Sequence, residues 1–166
     1  MPRQVLRLLT ILLALSPAIA MAQNTNVAFA GLKTDPSQPV QVTADSLSVN
    51  QADGTALFTG HVIVTQGQMK LEAGTVKVNY SAGQKAIESL HADGGVTLVA
   101  GTEAAQSDAA DYAPGTGDLT MTGKVLLTQG QAAISGETLV ISLKTGTGTM
   151  QGRVTTTFNP AAPVKK

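Results

Sequence analysis

The sequence of 166 residues contains no cysteine and no tryptophan, and only five of its residues are aromatic. Without cysteine it forms no disulfide bonds and offers no thiolate ligands to a metal, so its stability depends on buried side chains and backbone pairing. Because aromatic residues are so few, we expect the interior to consist mostly of small and aliphatic side chains.

An excess of charge of either sign is also missing. Eleven basic residues balance eleven acidic ones, and removal of an N-terminal segment that contains Arg3 and Arg7 leaves nine basic against eleven acidic. No basic patch stands out, so the sequence gives no support for binding to nucleic acid or to an anionic membrane surface.

Only one long apolar run is present, and it lies near the N-terminus. Residues 8–15 are apolar except for Thr10, follow the two arginines, and precede the small residues Ala18, Ala20 and Ala22. This order predicts a secretory signal peptide over residues 1–22 and an exported, soluble mature chain. The run is short for a membrane span, although an uncleaved anchor is the alternative.

Patterns typical of catalytic or metal sites are absent. The two histidines, His61 and His91, lack metal-ligand spacing, and the acidic residues are scattered singly. There is no nucleophile elbow, and the glycine-rich stretch 145–149 lacks the lysine of a phosphate-binding loop. We therefore predict no enzyme activity, no catalytic residues, no metal site and no cofactor.

The residues that are abundant favour β-strands. There are 21 threonines, 15 valines and 17 glycines, and short segments rich in β-branched residues alternate with glycine-rich turns, which is typical of an antiparallel all-β domain. The predicted strands are Val40–Asn50, Ala56–Gln66, Gln68–Ala73, Thr75–Tyr80, Ala86–His91, Val96–Ala100, Glu103–Tyr112, Asp118–Gln129, Gln131–Ser135, Thr138–Leu143, Gly148–Gln151 and Val154–Phe158.

One phrase of the sequence occurs twice. Residues 58–68 read FTGHVIVTQGQ and residues 121–131 read MTGKVLLTQGQ, with seven of eleven positions identical. Such a repeat indicates one structural unit laid down twice. Gly60 and Gly123 each interrupt a predicted strand and are expected to mark a bulge or kink. Asp45 and Asp108 recur at the same offset and are interpreted as turn or bulge acceptors.

The alternation of side chains along these strands predicts an apolar inner face. In an extended strand Phe58, Val62 and Val64 share one side, and Met121 and Val125 occupy the matching positions of the second copy. The inner rows carry no charge. This pattern is consistent with either a packed core or a lipid-lined groove.

The domain boundaries follow from these patterns. After the signal peptide, residues 23–38 are small and polar and are expected to form a flexible lead-in. Residues 39–158 are expected to form the β-domain, and residues 159–166, which contain two prolines and two lysines, a disordered tail.

Several stretches together resemble the LptA (OstA-like) family of periplasmic lipopolysaccharide-transport proteins. They are the segments 38–42 and 44–47, the phrase 58–67, the continuation 71–80, and the terminal run 153–158. The resemblance covers nearly all of the chain after the leader, and the phrase at 58–67 is its most specific part.

The resemblance implies an antiparallel β-jelly roll with an open, V-shaped apolar groove. Members of the family carry lipopolysaccharide across the periplasm with its acyl chains in the groove, joining head to tail with one another and with LptC-like inner-membrane and LptD-like outer-membrane proteins. The residues expected to contact lipid, rather than only to pack as core, are Val40, Val42, Phe58, Val62, Val64, Val76, Val78, Leu98, Tyr112, Leu119, Met121, Val125, Leu127, Ile134, Leu139 and Ile141.

Two other functions are compatible with the residues alone. A structural β-solenoid is suggested by the repeat, although solenoids have shorter periods and more copies. A stand-alone lipid-binding protein of the envelope is the other, and it would leave no free edge strand for assembly with partners.

Overall fold

The computed structural model describes residues 25–28, 35, 37–83 and 85–158. The predicted signal peptide and C-terminal tail lie outside these residues. Within them every regular element is a β-strand. The strands are β1 (Thr25–Ala28), β2 (Gln41–Thr43), β3 (Ser46–Asn50), β4 (Thr55–Gln66), β5 (Met69–Tyr80), β6 (Ile87–Ala100), β7 (Glu103–Ala113), β8 (Asp118–Gln129), β9 (Ala132–Ser142), β10 (Thr147–Gln151) and β11 (Thr155–Phe158).

All eleven strands belong to one antiparallel sheet. From β4 to β10 each strand pairs with the next one in sequence. At one edge, β2 and β3 lie end to end along β4; at the other, β10 and β11 lie end to end along β9. This consecutive antiparallel order disagrees with the solenoid alternative, because repetitive β-helices pair their strands in parallel.

A line of irregularities crosses the whole sheet. The register between neighbouring strands shifts at the same level from β4 through β9, and the edge strands are interrupted there. An extra residue in one strand of a pair bends that strand and increases its twist. We call this line the crease; it passes through residues 44–45, 60–61, 74, 94–95, 108, 123–124, 137 and 152–153.

The crease depends on a backbone conformation that glycine adopts freely. Gly60 and Gly123 have φ of 81°, and the residue after each, His61 or Lys124, is also left-handed at 43° or 47°. A side chain on Gly60 would lie 2.5 Å from Asp45 Oδ2, and one on Gly123 would lie 2.6 Å from Asp108 Oδ2. The bulges predicted at these two glycines are confirmed, and the repeated aspartates lie directly over them.

The crease divides the sheet into two leaves that face each other. The division is supported by side chains of both halves that line one small cavity, including Val64 and Leu71 from one side and Ala92 and Ala110 from the other. The first leaf comprises residues 41–43, 62–66, 69–73, 96–100, 103–107, 125–129, 132–136 and 155–158. The second comprises residues 46–50, 55–59, 75–80, 87–93, 109–113, 118–122, 138–142 and 147–151.

Three pairs of predicted strands are single strands in the structure. Gly74 and the pair Gly94–Gly95, expected to separate strands, lie within β5 and β6 as bulges, and β9 runs unbroken past Gly136. Glycine-rich segments resemble turns in sequence, but here the neighbouring strands continue the ladder on both sides. Conversely, the predicted strand Val40–Asn50 is two strands, because it is interrupted at the crease.

The segment predicted as a flexible lead-in contains a strand. Residues 25–28 form β1, which pairs with β10 from Thr25↔Met150 to Ala28↔Thr147. The free outer side of β10 supplies backbone partners for this short segment, and sequence pattern does not show such distant pairing.

Candidate functional site

The predicted inner rows converge on one apolar interior between the leaves. Thirteen of the sixteen residues expected to contact lipid are buried, and Val40, Val42 and Phe58 are partly buried against the same cluster. The buried thirteen are Val62, Val64, Val76, Val78, Leu98, Tyr112, Leu119, Met121, Val125, Leu127, Ile134, Leu139 and Ile141. Their common location is established, whereas their contact with lipid stays a prediction.

The interior is closed in this structure. The cavity between the leaves that Met69, Leu90 and Tyr112 help to line has a volume of only about 10 Å³, which is room for a single water molecule at most. The open groove that the family resemblance implies is therefore not what this structure shows. Side chains of the two leaves fill the space, and acyl chains would have to separate them.

Sequence reasoning missed several interior residues, among them Met69, Leu71 and Leu90. In β5 the inward residues are Met69 and Leu71 before the crease but Val76 and Val78 after it, so the bulge changes which residue numbers face inward. The same change occurs in β7 and β9, whereas β4 and β8 keep their alternation. Because the sequence predicts separate strands on either side of Gly74, the alternation of Val76 and Val78 does not show which face Met69 and Leu71 occupy.

Buried polar groups lie at the end of the interior beside the hairpins of the first leaf. Gln66 is 1% exposed; its Nε2 donates to the backbone oxygen of Gln38 at 2.8 Å, and its Oε1 accepts from the hydroxyl of Tyr112. Burial raises the pKa of Tyr112 to about 12, so the hydroxyl stays protonated and remains a donor. This contact joins the two leaves.

The second copy of the repeated phrase ends in a similar but shorter-range contact. Gln129 Nε2 donates to Glu103 Oε1 at 2.7 Å, and these two residues are register partners on neighbouring strands β8 and β7. Both belong to the first leaf, so this hydrogen bond does not span the interior.

The apolar inner face continues without cover onto one edge of the sheet. Leu47 and Val49 of β3 pair with Phe58 and Ala56 of β4, and directly opposite residues point to the same face of a sheet. Ala56 is buried, whereas Leu47 and Val49 are 56% and 58% exposed. The apolar inner face is therefore exposed at this edge as a strip formed by Leu47 and Val49.

The histidines lie on the outer face, paired with carboxylates. His61 Nδ1 lies 2.7 Å from Asp45 Oδ2, and His91 lies between Asp111 and Asp93 at 2.5 and 3.0 Å. These hydrogen bonds raise the pKa of both histidines above the ordinary value. Within the described residues, no group of three or more potential metal ligands is found.

Among the residues that the structure describes, no helix has the length and hydropathy that a membrane span requires. The transmembrane alternative for residues 1–22 lies outside that part.

Comparison with known proteins gives two kinds of similarity. An uncharacterised protein of Rhizobium meliloti (strain 1021) is 30% identical over 158 residues, covering 89% of this chain and 85% of that protein. The lipopolysaccharide export system protein LptH of Pseudomonas aeruginosa is 44% identical over 45 residues, 27% of this chain and 26% of LptH.

The fold is similar to that of a solved structure. The crystal structure of Pseudomonas aeruginosa LptH, described as the LptA-homologous periplasmic component of the conserved lipopolysaccharide transport device, superposes with a TM-score of 0.68 at 21% identity. The superposition covers 76% of this chain and 99% of that one, and it identifies the sheet as an OstA-like β-jelly roll. The profile of the family described as "LptA/(LptD N-terminal domain) LPS transport protein" matches residues 41–147. The chain belongs to this LPS transport family.

Proposed function

We propose that this protein carries lipopolysaccharide through the periplasm from the inner to the outer membrane, with the acyl chains held between the two leaves. The observation that carries the proposal is an interior lined from β4 to β10 by apolar side chains, whose inner face continues to the exposed strip Leu47 and Val49. Transfer of each methylene group from water to an apolar interior is favourable by about 0.8 kcal/mol of free energy. Such an interior therefore binds acyl chains by burial alone. Family membership supports the same conclusion, and we propose no enzyme activity.

Assembly with other proteins is proposed to use the free edges. Within the described residues, no strand pairs with the outer side of β2, β3 or β11. A free edge presents unpaired backbone groups that accept a further strand. The proposed partners are second copies joined head to tail, an LptC-like protein at the inner membrane and an LptD-like protein at the outer membrane.

Photocrosslinking tests the lipid site. A crosslinking amino acid at Val49 or Phe58, on the inner face, is expected to capture lipopolysaccharide, whereas one at Lys77 is not. Lys77 is the matched control because it is exposed on the outer side of β5, between the buried Val76 and Val78. Capture at Lys77 alone would contradict the proposed site.

A proline substitution tests assembly. Val42→Pro removes a backbone donor from β2 and fixes its φ, so the edge no longer presents a regular row of partners. We expect head-to-tail oligomers, measured by analytical ultracentrifugation, to become at least about tenfold weaker. Unchanged oligomers in Val42→Pro would contradict assembly through this edge, whereas lipid binding by a wild type that forms no oligomers would indicate a stand-alone lipid-binding protein.

A further inference from the structure

The contact between Gln66 and Tyr112 is unusual in this interior because it is polar and joins the leaves. Gln66 is at the end of β4 in the first leaf, and Tyr112 is near the end of β7 in the second, 46 residues later. Both side chains are almost fully buried, at 1% and 3% exposure. A buried amide and hydroxyl lose free energy if they separate without new partners, so this hydrogen bond favours the closed arrangement.

The same amide also connects the edge of the sheet to this contact. Its Nε2 donates to Gln38, which precedes β2 at the free edge, while its Oε1 accepts from Tyr112. The segment before the edge strand and the two leaves therefore meet at one side chain. By contrast, Gln129 and Glu103 connect two neighbouring strands of a single leaf.

The space around Tyr112 makes the contact relevant to lipid entry. Its ring lines the cavity of about 10 Å³ together with Val64 and Leu71 of the first leaf and Leu90 and Ala110 of the second. An acyl chain cannot enter that space unless the leaves move apart. Because the leaves are joined through the crease on one side, they separate most at the hairpin ends, where Gln66 lies.

We propose that Gln66 and Tyr112 form a latch that holds the two leaves closed when no lipid is bound and is broken when acyl chains enter. The inference rests on the proposed lipid-carrying function and adds a determinant of lipid affinity to it. When only a fraction of the molecules is in the binding-competent state, the apparent affinity for a ligand is the intrinsic affinity multiplied by that fraction. Weakening the latch therefore increases that fraction and the apparent affinity for lipid.

The test compares Tyr112→Phe with wild type in binding of fluorescently labelled lipopolysaccharide. The substitution keeps the ring but removes the donor, and we expect binding to become about two- to tenfold tighter, the change that corresponds to the net contribution of one hydrogen bond. Tyr80→Phe is the matched control, because Tyr80 is only partly buried against the same core. Gln129→Met is the control for a contact within one leaf.

A second variant and a second measurement protect the test from a folding defect. Gln66→Met removes the acceptor at similar side-chain length, and we expect the same direction of change. Because the chain has no cysteine, spin labels at Lys77→Cys and Gln106→Cys report the distance between the leaves. We expect that distance to increase in unliganded Tyr112→Phe, and in wild type when lipopolysaccharide is added.

The outcomes separate the latch from the function on which it rests. If wild type binds lipopolysaccharide and both latch variants bind with equal or weaker affinity, the latch is wrong and the carrier function stands. If wild type fails to bind, the carrier function is wrong. The proposal that lipid opens the latch then fails with it, even if the spin-label distance in Tyr112→Phe shows that the hydrogen bond holds the leaves together.

Discussion

The two copies of the repeated phrase have the same backbone and different surroundings. Gly60–His61 in β4 and Gly123–Lys124 in β8 have nearly equal φ angles, and the valine that follows is buried in each, Val62 or Val125. However, β4 is next to the interrupted edge strands, whereas β8 lies between the long strands β7 and β9. Local sequence thus sets the bend, and position in the sheet determines what each copy contacts.

The copies differ most at their ends. The glutamine of the first copy accepts a hydrogen bond from Tyr112 in the other leaf, while that of the second copy donates one to Glu103 on the neighbouring strand. The residue after the glycine differs too: it is His61, paired with Asp45, in the first copy and Lys124 in the second. The comparison indicates that the repeated phrase forms the same bend twice, whereas the contacts of its glutamine depend on the strands around it.

The largest expected difference between the two copies concerns the stability that their buried aliphatic side chains contribute. Leu127→Ala should lower the free energy of unfolding by about 2–5 kcal/mol, because it empties a fully buried site between neighbouring strands. Val64→Ala in the first copy removes fewer atoms and should cost less. Leu126→Ala is the control, since this neighbour is 40% exposed. Urea denaturation measures all three, and equal losses for Leu127 and Val64 would break the comparison.

The next difference concerns the glycines of the crease. Gly123→Ala should lower the free energy of unfolding by about 1–3 kcal/mol, because alanine tolerates positive φ poorly and its Cβ would meet Asp108. Gly60→Ala should cost less, since Asp45 lies between the separate edge strands β2 and β3, whereas Asp108 lies within the continuous strand β7.

Gly115→Ala is the control for the glycine series. A side chain there meets nothing within 4 Å, and Gly115 is not among the glycines with positive φ, so its thermal midpoint should stay near that of wild type. A loss at Gly115 as large as that at Gly123 would mean that the crease is not the source of the effect.

The smallest difference is electrostatic. The hydrogen bond with Asp45 raises the pKa of His61, so its stabilising effect is complete below the unfolded-state pKa of about 6.5 and is lost as the pH rises through the folded-state value. His61→Lys gives the first copy the residue of the second and should remove this contribution to the pH dependence.

NMR titration of the ring protons measures the histidine directly. Wild-type His61 should titrate above about 6.5, and Asp45→Asn should lower that pKa. His91, whose pKa is raised mainly by Asp111, provides an internal control that Asp45→Asn leaves unchanged. A His61 that titrates at its ordinary value in wild type would remove the distinction between the copies.

The sequence predicts much of the fold but only part of the crease. Strand class, the inner rows and the bulges at Gly60 and Gly123 follow from alternation and from the long repeated phrase. Two further left-handed pairs, Gly94–Gly95 and Gly152–Arg153, share only the glycine and a valine two residues later. So short a pattern is too common to identify without the register of neighbouring strands.

The contacts that depend on distance in sequence were not predictable. Burial of Tyr112 follows from its place in an inner row, but its partner Gln66 lies on a strand three positions away in the sheet. Only the fold along the crease brings them together. The closed interior is likewise a property of how side chains of two leaves fill a space, and a hydrophobic pattern gives no volume.

The position of the crease along the strands also sets a length. Most strand segments on either side of it contain about five residues, which at about 3.3 Å per residue gives each leaf a depth of roughly 16 Å. The hydrocarbon core of a bilayer is about 30 Å thick, so a single monolayer of acyl chains occupies roughly 15 Å. From the crease to the hairpin ends, each leaf is thus about as long as one monolayer of the membrane is thick.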